Sequence, residues 1–159
     1  VRAIVRRMAE HVATIEWETS ASPEDVRKGR YPRTHRWTFD GGITVEASSS
    51  PSVVPAPWSS ATAVDPEEAF VAAISSCHML SFLYVAAKRG FAPTQYRDRA
   101  VGTMTKNEHG VAWVSRVVLS PAISYAGTAP DAAQLAALHT AAHHECFIAN
   151  SVKTEIVVA

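Results

Sequence analysis

Apolar and polar positions alternate with the period of a strand in two places near the start of the chain. Val12 to Trp17 reads as one strand, and Arg36 to Phe39 with Ile43 to Ala47 flank Asp40-Gly41-Gly42 as a β-hairpin. Between them Ser20 to Tyr31 is polar and charged and predicts a surface loop or a short helical turn. Ser48 to Ala63, with three prolines and many serines, predicts a loop that carries Trp58. The period then changes. Asp65-Pro66-Glu67 supplies a capping side chain, a proline suited to the first turn and carboxylates at the positive end of the helix dipole. The helix they open should run to about Lys88-Arg89 and stop at Gly90. Tyr96 to Thr105, Val111 to Ser120 and Val152 to Val158 read as strands, with Asn107 to Gly110 turning between the first two. A second helix is predicted from Asp131 to about His144, with Leu135, Leu138 and Ala142 on one face. Strands not each followed by a helix argue for an α+β protein with mainly antiparallel sheets.

The first helix needs a further decision, because Ala69 to Ala87 is long enough for a membrane span. Three serines, a cysteine and a histidine dilute it, so the expectation is a helix buried centrally, within one protein chain or between two subunits. The whole chain, 159 residues at 47% hydrophobic composition, suffices for one core without disulfide staples. We expect a single domain over residues 9–159, preceded by a leader over residues 1–8 with no assigned role, in which Met8 offers an alternative start. Lys plus Arg and Asp plus Glu are 15 each, so charge favours neither nucleic acid nor an anionic membrane as partner. A small uncharged substrate is easier to defend. Val1 to Arg7 lacks the apolar run of a signal peptide, which leads to the expectation of a cytoplasmic protein.

In that compartment a thiol pair is more often catalytic, redox-sensing or metal-binding than a permanent cross-link. The chain has two cysteines, in Ser75-Ser76-Cys77-His78 and His143-His144-Glu145-Cys146-Phe147. Cys77 falls in the middle of its helix, so a cation favouring its thiolate must come from elsewhere in the fold. Arg30, Arg33, His35 and Arg36 are the densest source, although a charged edge strand explains them equally well. Glu67, ten positions before Cys77, lies about 15 Å from it along one helix. If Glu67 orients an arginine over a cysteine, that cysteine is expected on a partner subunit, or the arginine must span the gap. His143 shares a helical face with Cys146 if the helix continues that far. His11, His109 and His139 read as surface or packing residues without a partner. Cys-His and His-x-x-Cys match no strong zinc signature, and a free cysteine is commonly just a small buried hydrophobe.

Two of these segments resemble one family. Val64-Asp65-Pro66-Glu67-Glu68-Ala69 through Ser76-Cys77-His78-Met79-Leu80 is similar to the central-helix motif of the OsmC/Ohr family, in which a Pro-Glu pair precedes the peroxidatic cysteine by the same interval. His143 to Asn150 is similar to that family's second motif, and the element order agrees over nearly all of Ala9 to Ala159. The resemblance implies an OsmC-like α+β fold assembled as an intertwined homodimer with sites at its interface. It implies a thiol peroxidase acting on organic hydroperoxides or hydrogen peroxide, with Cys77 as nucleophile, Cys146 as the thiol that closes a disulfide on it, and Glu67 as the glutamate after proline. The family's arginine falls upstream of the central helix, where Arg33 is the first choice and Arg30 and Arg36 stand close behind. A dithiol reductant, a lipoylated or thioredoxin-like protein, would reset the pair, and no cofactor or metal is called for. The chain departs from the Ohr branch in lacking its Gly-Gly-Arg context and in having Phe147 where proline often follows the second cysteine. The alternatives are a non-catalytic small-molecule or zinc-binding protein on the same fold, and a scaffold with inert buried cysteines.

Overall fold

The computed structural model describes residues 9–159, so the leader proposed for residues 1–8 lies outside the described residues. The chain forms two compact units, one ending at Pro66 and one running from Glu67 to Ala159.

In the first unit β1 (Ala13–Glu16), β2 (His35–Phe39) and β3 (Thr44–Ala47) make an antiparallel sheet in the order β1-β2-β3. Trp37 faces Ile15 on one side and Val45 on the other. The hairpin turn falls at the glycines, where Gly42 takes φ +82° and donates its N–H to Phe39 O at 2.9 Å. The polar stretch between β1 and β2 contains one short helix, α1 (Pro23–Arg27), begun by Ser22, whose hydroxyl accepts the Asp25 N–H at 3.1 Å. After β3 the Ser/Pro-rich segment is irregular, as its prolines require, and returns to the sheet end through a single parallel bridge between Ala47 and Val64.

The second unit is organised by α2 (Pro66–Lys88). Its N-terminal half packs Ile74 with Phe70 and Val71 against Val117, Leu119, Ile156 and Val158. Its C-terminal half packs Phe82, Val85 and Ala86 against Leu138 and Ala142 of α3 (Ala132–Glu145) and against Tyr96 and Ile123. Cys77 therefore sits where the helix passes from one apolar cluster to the other. Completely burying a side chain such as Phe82 or Ile74 contributes about 2 kcal/mol each.

The sheet connecting these clusters differs from the sequence expectation. Tyr96 to Thr105 was expected as one strand but is divided into β4 (Pro93–Asp98) and β5 (Val101–Lys106). Likewise Val111 to Ser120 is β6 (Ala112–Leu119), and a further strand, β7 (Pro121–Tyr125), follows without having been foreseen. β4 pairs β7, whereas β5 pairs β6, and β8 (Glu155–Val158) joins β6 in parallel. The cross-strand register is the same on both sides of the break, Asp98 opposite Pro121 and Val101 opposite Val118. A single long hairpin thus bends between two sheets. Asp98 holds the bend: its carboxylate accepts the Ser120 N–H at 2.6 Å and the Ser75 hydroxyl of α2 at 2.5 Å. Period-2 patterning continues across such a bend, because the register does not change at the break.

The start of α3 follows its sequence signal. Asp131 accepts the Gln134 N–H at 2.8 Å and Gln134 Oε1 accepts the Asp131 N–H at 2.9 Å, a reciprocal capping box. The helix ends at Glu145, and a 3-10 turn at Ala149–Ser151 leads towards β8.

Candidate active site

The two cysteines are free and meet through the end of α3. Cys146 is the residue at which α3 stops, its N–H bonded to His143 O, and it is completely buried. The following turn aims two backbone donors at sulfur: Ile148 N–H at Cys77 Sγ, 3.5 Å, and Ala149 N–H at Cys146 Sγ, 3.4 Å. Asn150 Nδ2 ties the turn down by donating to His144 O at 3.0 Å and Cys146 O at 2.9 Å. Cys77 comes from the middle of α2 and is half-buried. Burial pushes the Cys146 thiol up to about 11, with a hydrogen bond from the Cys77 side chain acting in the same direction. The fold thus brings together two thiols that are 69 positions apart, in unequal environments.

Glu67 lies in the first turn of α2, half-buried, ten positions before Cys77 in the middle of the helix. The three candidate arginines belong to the first unit and differ sharply there. Arg30 is exposed and paired with Asp25, its Nη2 2.6 Å from the carboxylate. Arg36 is exposed on β2, between Glu16 and Glu46 on the adjacent strands. Arg33 instead is half-buried and lines a pocket of about 320 Å3 with Trp17, Tyr31, His35 and Ser49. Its guanidinium lies 3.7 Å over the Tyr31 ring, and its Nη1 donates to Gly29 O at 2.8 Å and to Tyr31 O.

His78, adjacent to Cys77 in sequence, serves the core. Its Nε2 shares a hydrogen bond of 3.0 Å with Nδ1 of His139, the rings stack at 5.3 Å, and Phe82 stacks on His139 at 4.5 Å. Burial draws His78 down to about 4, assisted by His139 and His143 and opposed by Asp98. His139 is therefore a packing residue, one of the two roles its sequence context suggested, but it has a partner. Its partner stands 61 positions away, and the one signal in the sequence is its place four residues after Leu135, on the same side of the helix. His139, His143 and His144 line a cleft of about 630 Å3 beside β8. Among the described residues no group of three or more His, Cys, Asp or Glu is placed to hold a metal ion.

The fold and the converging thiols define a class, α+β proteins in which a long core helix presents one cysteine to a second that follows a later helix. The match of residues 59–159 to the OsmC-like protein family model settles the membership: this chain belongs to that family. An OsmC-like protein of unknown function from Vibrio cholerae is similar to it at 49% identity, with 96% of this chain and 99% of that one covered and a TM-score of 0.89. More distant structures share the fold. An organic hydroperoxide resistance protein from Elizabethkingia anophelis is 19% identical over 96% of this chain and 94% of its own, with a TM-score of 0.68. The organic hydroperoxide resistance protein OhrB of Bacillus subtilis is 16% identical over 95% and 98%, with a TM-score of 0.65. No functionally curated protein matches the chain.

Proposed function

We propose that this protein is a thiol-dependent peroxidase that reduces organic hydroperoxides, or hydrogen peroxide, through a cycle of Cys77 and Cys146. The observation that carries the reading is the convergence of two free thiols of unequal accessibility, one half-buried and one sealed. Cys146 is sealed from solvent, whereas the half-buried Cys77 is the sulfur that a peroxide can reach, which makes Cys77 the attacking one. The Cys77 thiolate attacks the distal oxygen of ROOH. The O–O bond breaks, the alkoxide takes a proton and leaves as ROH, and Cys77 becomes a sulfenic acid. Cys146 then displaces the sulfenic hydroxyl, whose oxygen leaves as water carrying the Cys146 proton, and a disulfide forms. An external dithiol, lipoylated or thioredoxin-like, regenerates both thiols and is itself oxidised to a disulfide.

In this reading Arg33 supplies the cation that favours the thiolate and the peroxide oxygens, and Glu67 orients it. Sites of this kind are completed in a homodimer, for which Leu80 and Tyr84, 61% and 55% exposed one turn apart on α2, provide apolar contact surface. Sedimentation of the reduced protein at twice the chain mass supports the dimer, and a monomer at micromolar concentration refutes it. The activity is tested by consumption of cumene hydroperoxide and hydrogen peroxide in the presence of a dithiol. Cys77→Ser is expected to abolish turnover, and Cys146→Ser to allow one oxidation event without turnover. Equal activity of wild type and Cys77→Ser removes the proposal.

A further inference from the structure

Arg33 is held by more than its guanidinium. Its N–H donates to Trp58 O at 2.8 Å, and its carbonyl oxygen lies 2.7 Å from Nδ1 of His35. On the other side of that imidazole the indole Nε1 of Trp37 lies 2.8 Å from His35 Nε2. The proton positions in this row follow from chemistry. An indole N–H can only donate, so His35 Nε2 must accept and carries no hydrogen. The ring proton of neutral His35 is then on Nδ1, where it donates to the Arg33 carbonyl. Trp37 thereby selects the tautomer of His35, and His35 anchors the backbone of Arg33. The residues stand at positions 33, 35 and 37, the last two on one face of β2.

The rest of the pocket is consistent with this anchoring. Trp17 Nε1 donates to Pro32 O at 2.9 Å, and the Trp17 ring meets Tyr31 edge-on at 5.4 Å, supporting from below the ring on which the guanidinium rests. Arg33 has its N–H, its carbonyl and one guanidinium nitrogen, Nη1, fixed at the wall of the pocket it lines.

Resting on the peroxidase reading, in which Arg33 is the cation of the site, we propose that His35 is a positioning residue that fixes the direction of the Arg33 guanidinium, in a tautomer imposed by Trp37. His35 touches neither thiol nor peroxide in this role. It acts through the backbone of Arg33.

Three variants separate positioning from general structure. His35→Phe keeps an aromatic ring but removes both hydrogen bonds. His35→Asn restores a donor at the location of Nδ1 and should recover most of the function. Trp37→Phe leaves His35 in place but releases its tautomer, and should produce a smaller defect in the same direction. Two readouts are needed. The first is the rate of Cys77 oxidation by cumene hydroperoxide in a single turnover, expected to fall roughly tenfold to a hundredfold in His35→Phe for a misdirected charge. The second, which requires no peroxidase activity, is the rate at which phenylglyoxal modifies Arg33 in the full chain, followed by peptide mass. That rate should rise several-fold in His35→Phe and return towards wild type in His35→Asn. Unchanged Arg33 reactivity in His35→Phe, or a defect in His35→Asn equal to that in His35→Phe, overturns the positioning role. Arg33 reactivity that responds as expected in a protein whose wild type does not reduce peroxide supports the positioning of Arg33 and overturns the peroxidase reading instead.

Discussion

Cys77 and His78 are neighbours in sequence and serve different parts of the molecule. The thiol faces Cys146 and the turn that follows it, whereas the imidazole closes the core against His139 and Phe82. Burial therefore produces a pH dependence that has nothing to do with the thiols. In the unfolded chain a histidine takes up a proton near pH 6.5, but His78 in the folded protein resists it until about 4. Above pH 6.5 the group is neutral in both states and contributes nothing. As pH falls from about 6.5 towards 4 the unfolded state binds the proton first, and stability declines by up to roughly 3 kcal/mol at about 1.4 kcal/mol per pH unit. Urea unfolding at pH 7 and pH 4.5 should show this loss, and His78→Phe should flatten it. A loss of the same size in the variant assigns the pH dependence to other groups. The sequence held both cysteines and Glu67 in recognisable motifs, and it offered Arg33 among three arginines. It could not reveal the His78–His139 pair or the Trp37–His35–Arg33 row, since each depends on which face of an element a side chain presents. For His35 and Trp37 of that row the alternation of β2 was the available signal.

At the scale of elements, α2 and α3 were legible because their ends carry chemistry: proline and carboxylates at one start, the Asp131–Gln134 box at the other. The bend of the long hairpin was not, since the contacts of Asp98 that hold it, with Ser120 and Ser75, are tertiary ones. Gly102 on β5 records how closely the sheet approaches α2. A Cβ there would lie 2.6 Å from Val71 Cγ2 and 3.4 Å from Val114 Cγ1, both packed in the cluster around Ile74. Because these neighbours are β-branched and hemmed in, they cannot swing away cheaply. Gly102→Ala is expected to destabilise the protein by about 1–3 kcal/mol, the usual range for overpacking. Thermal unfolding measures this, and a midpoint equal to wild type means that the helix and sheet are not in tight contact at that point.

For the whole molecule, α2 unites the structural and the chemical roles. It is apolar nearly all round and is long and apolar enough to cross a membrane by length and composition, yet here it is the spine of the second unit, serving two apolar clusters in succession. That placement leaves Cys77 at the seam between them, where the turn after α3 delivers Cys146. A peroxidase at this seam has one requirement that is independent of substrate preference and reductant: the two sulfurs of one chain must join when peroxide arrives. The most direct measurement is the intact mass of the reduced protein after one equivalent of cumene hydroperoxide, with remaining thiols alkylated under denaturing, non-reducing conditions. The account predicts a single chain that has lost two hydrogens, takes up no alkyl group and yields a linked Cys77–Cys146 peptide pair on digestion. A chain that takes up two alkyl groups, with both thiols unchanged by peroxide, would contradict it.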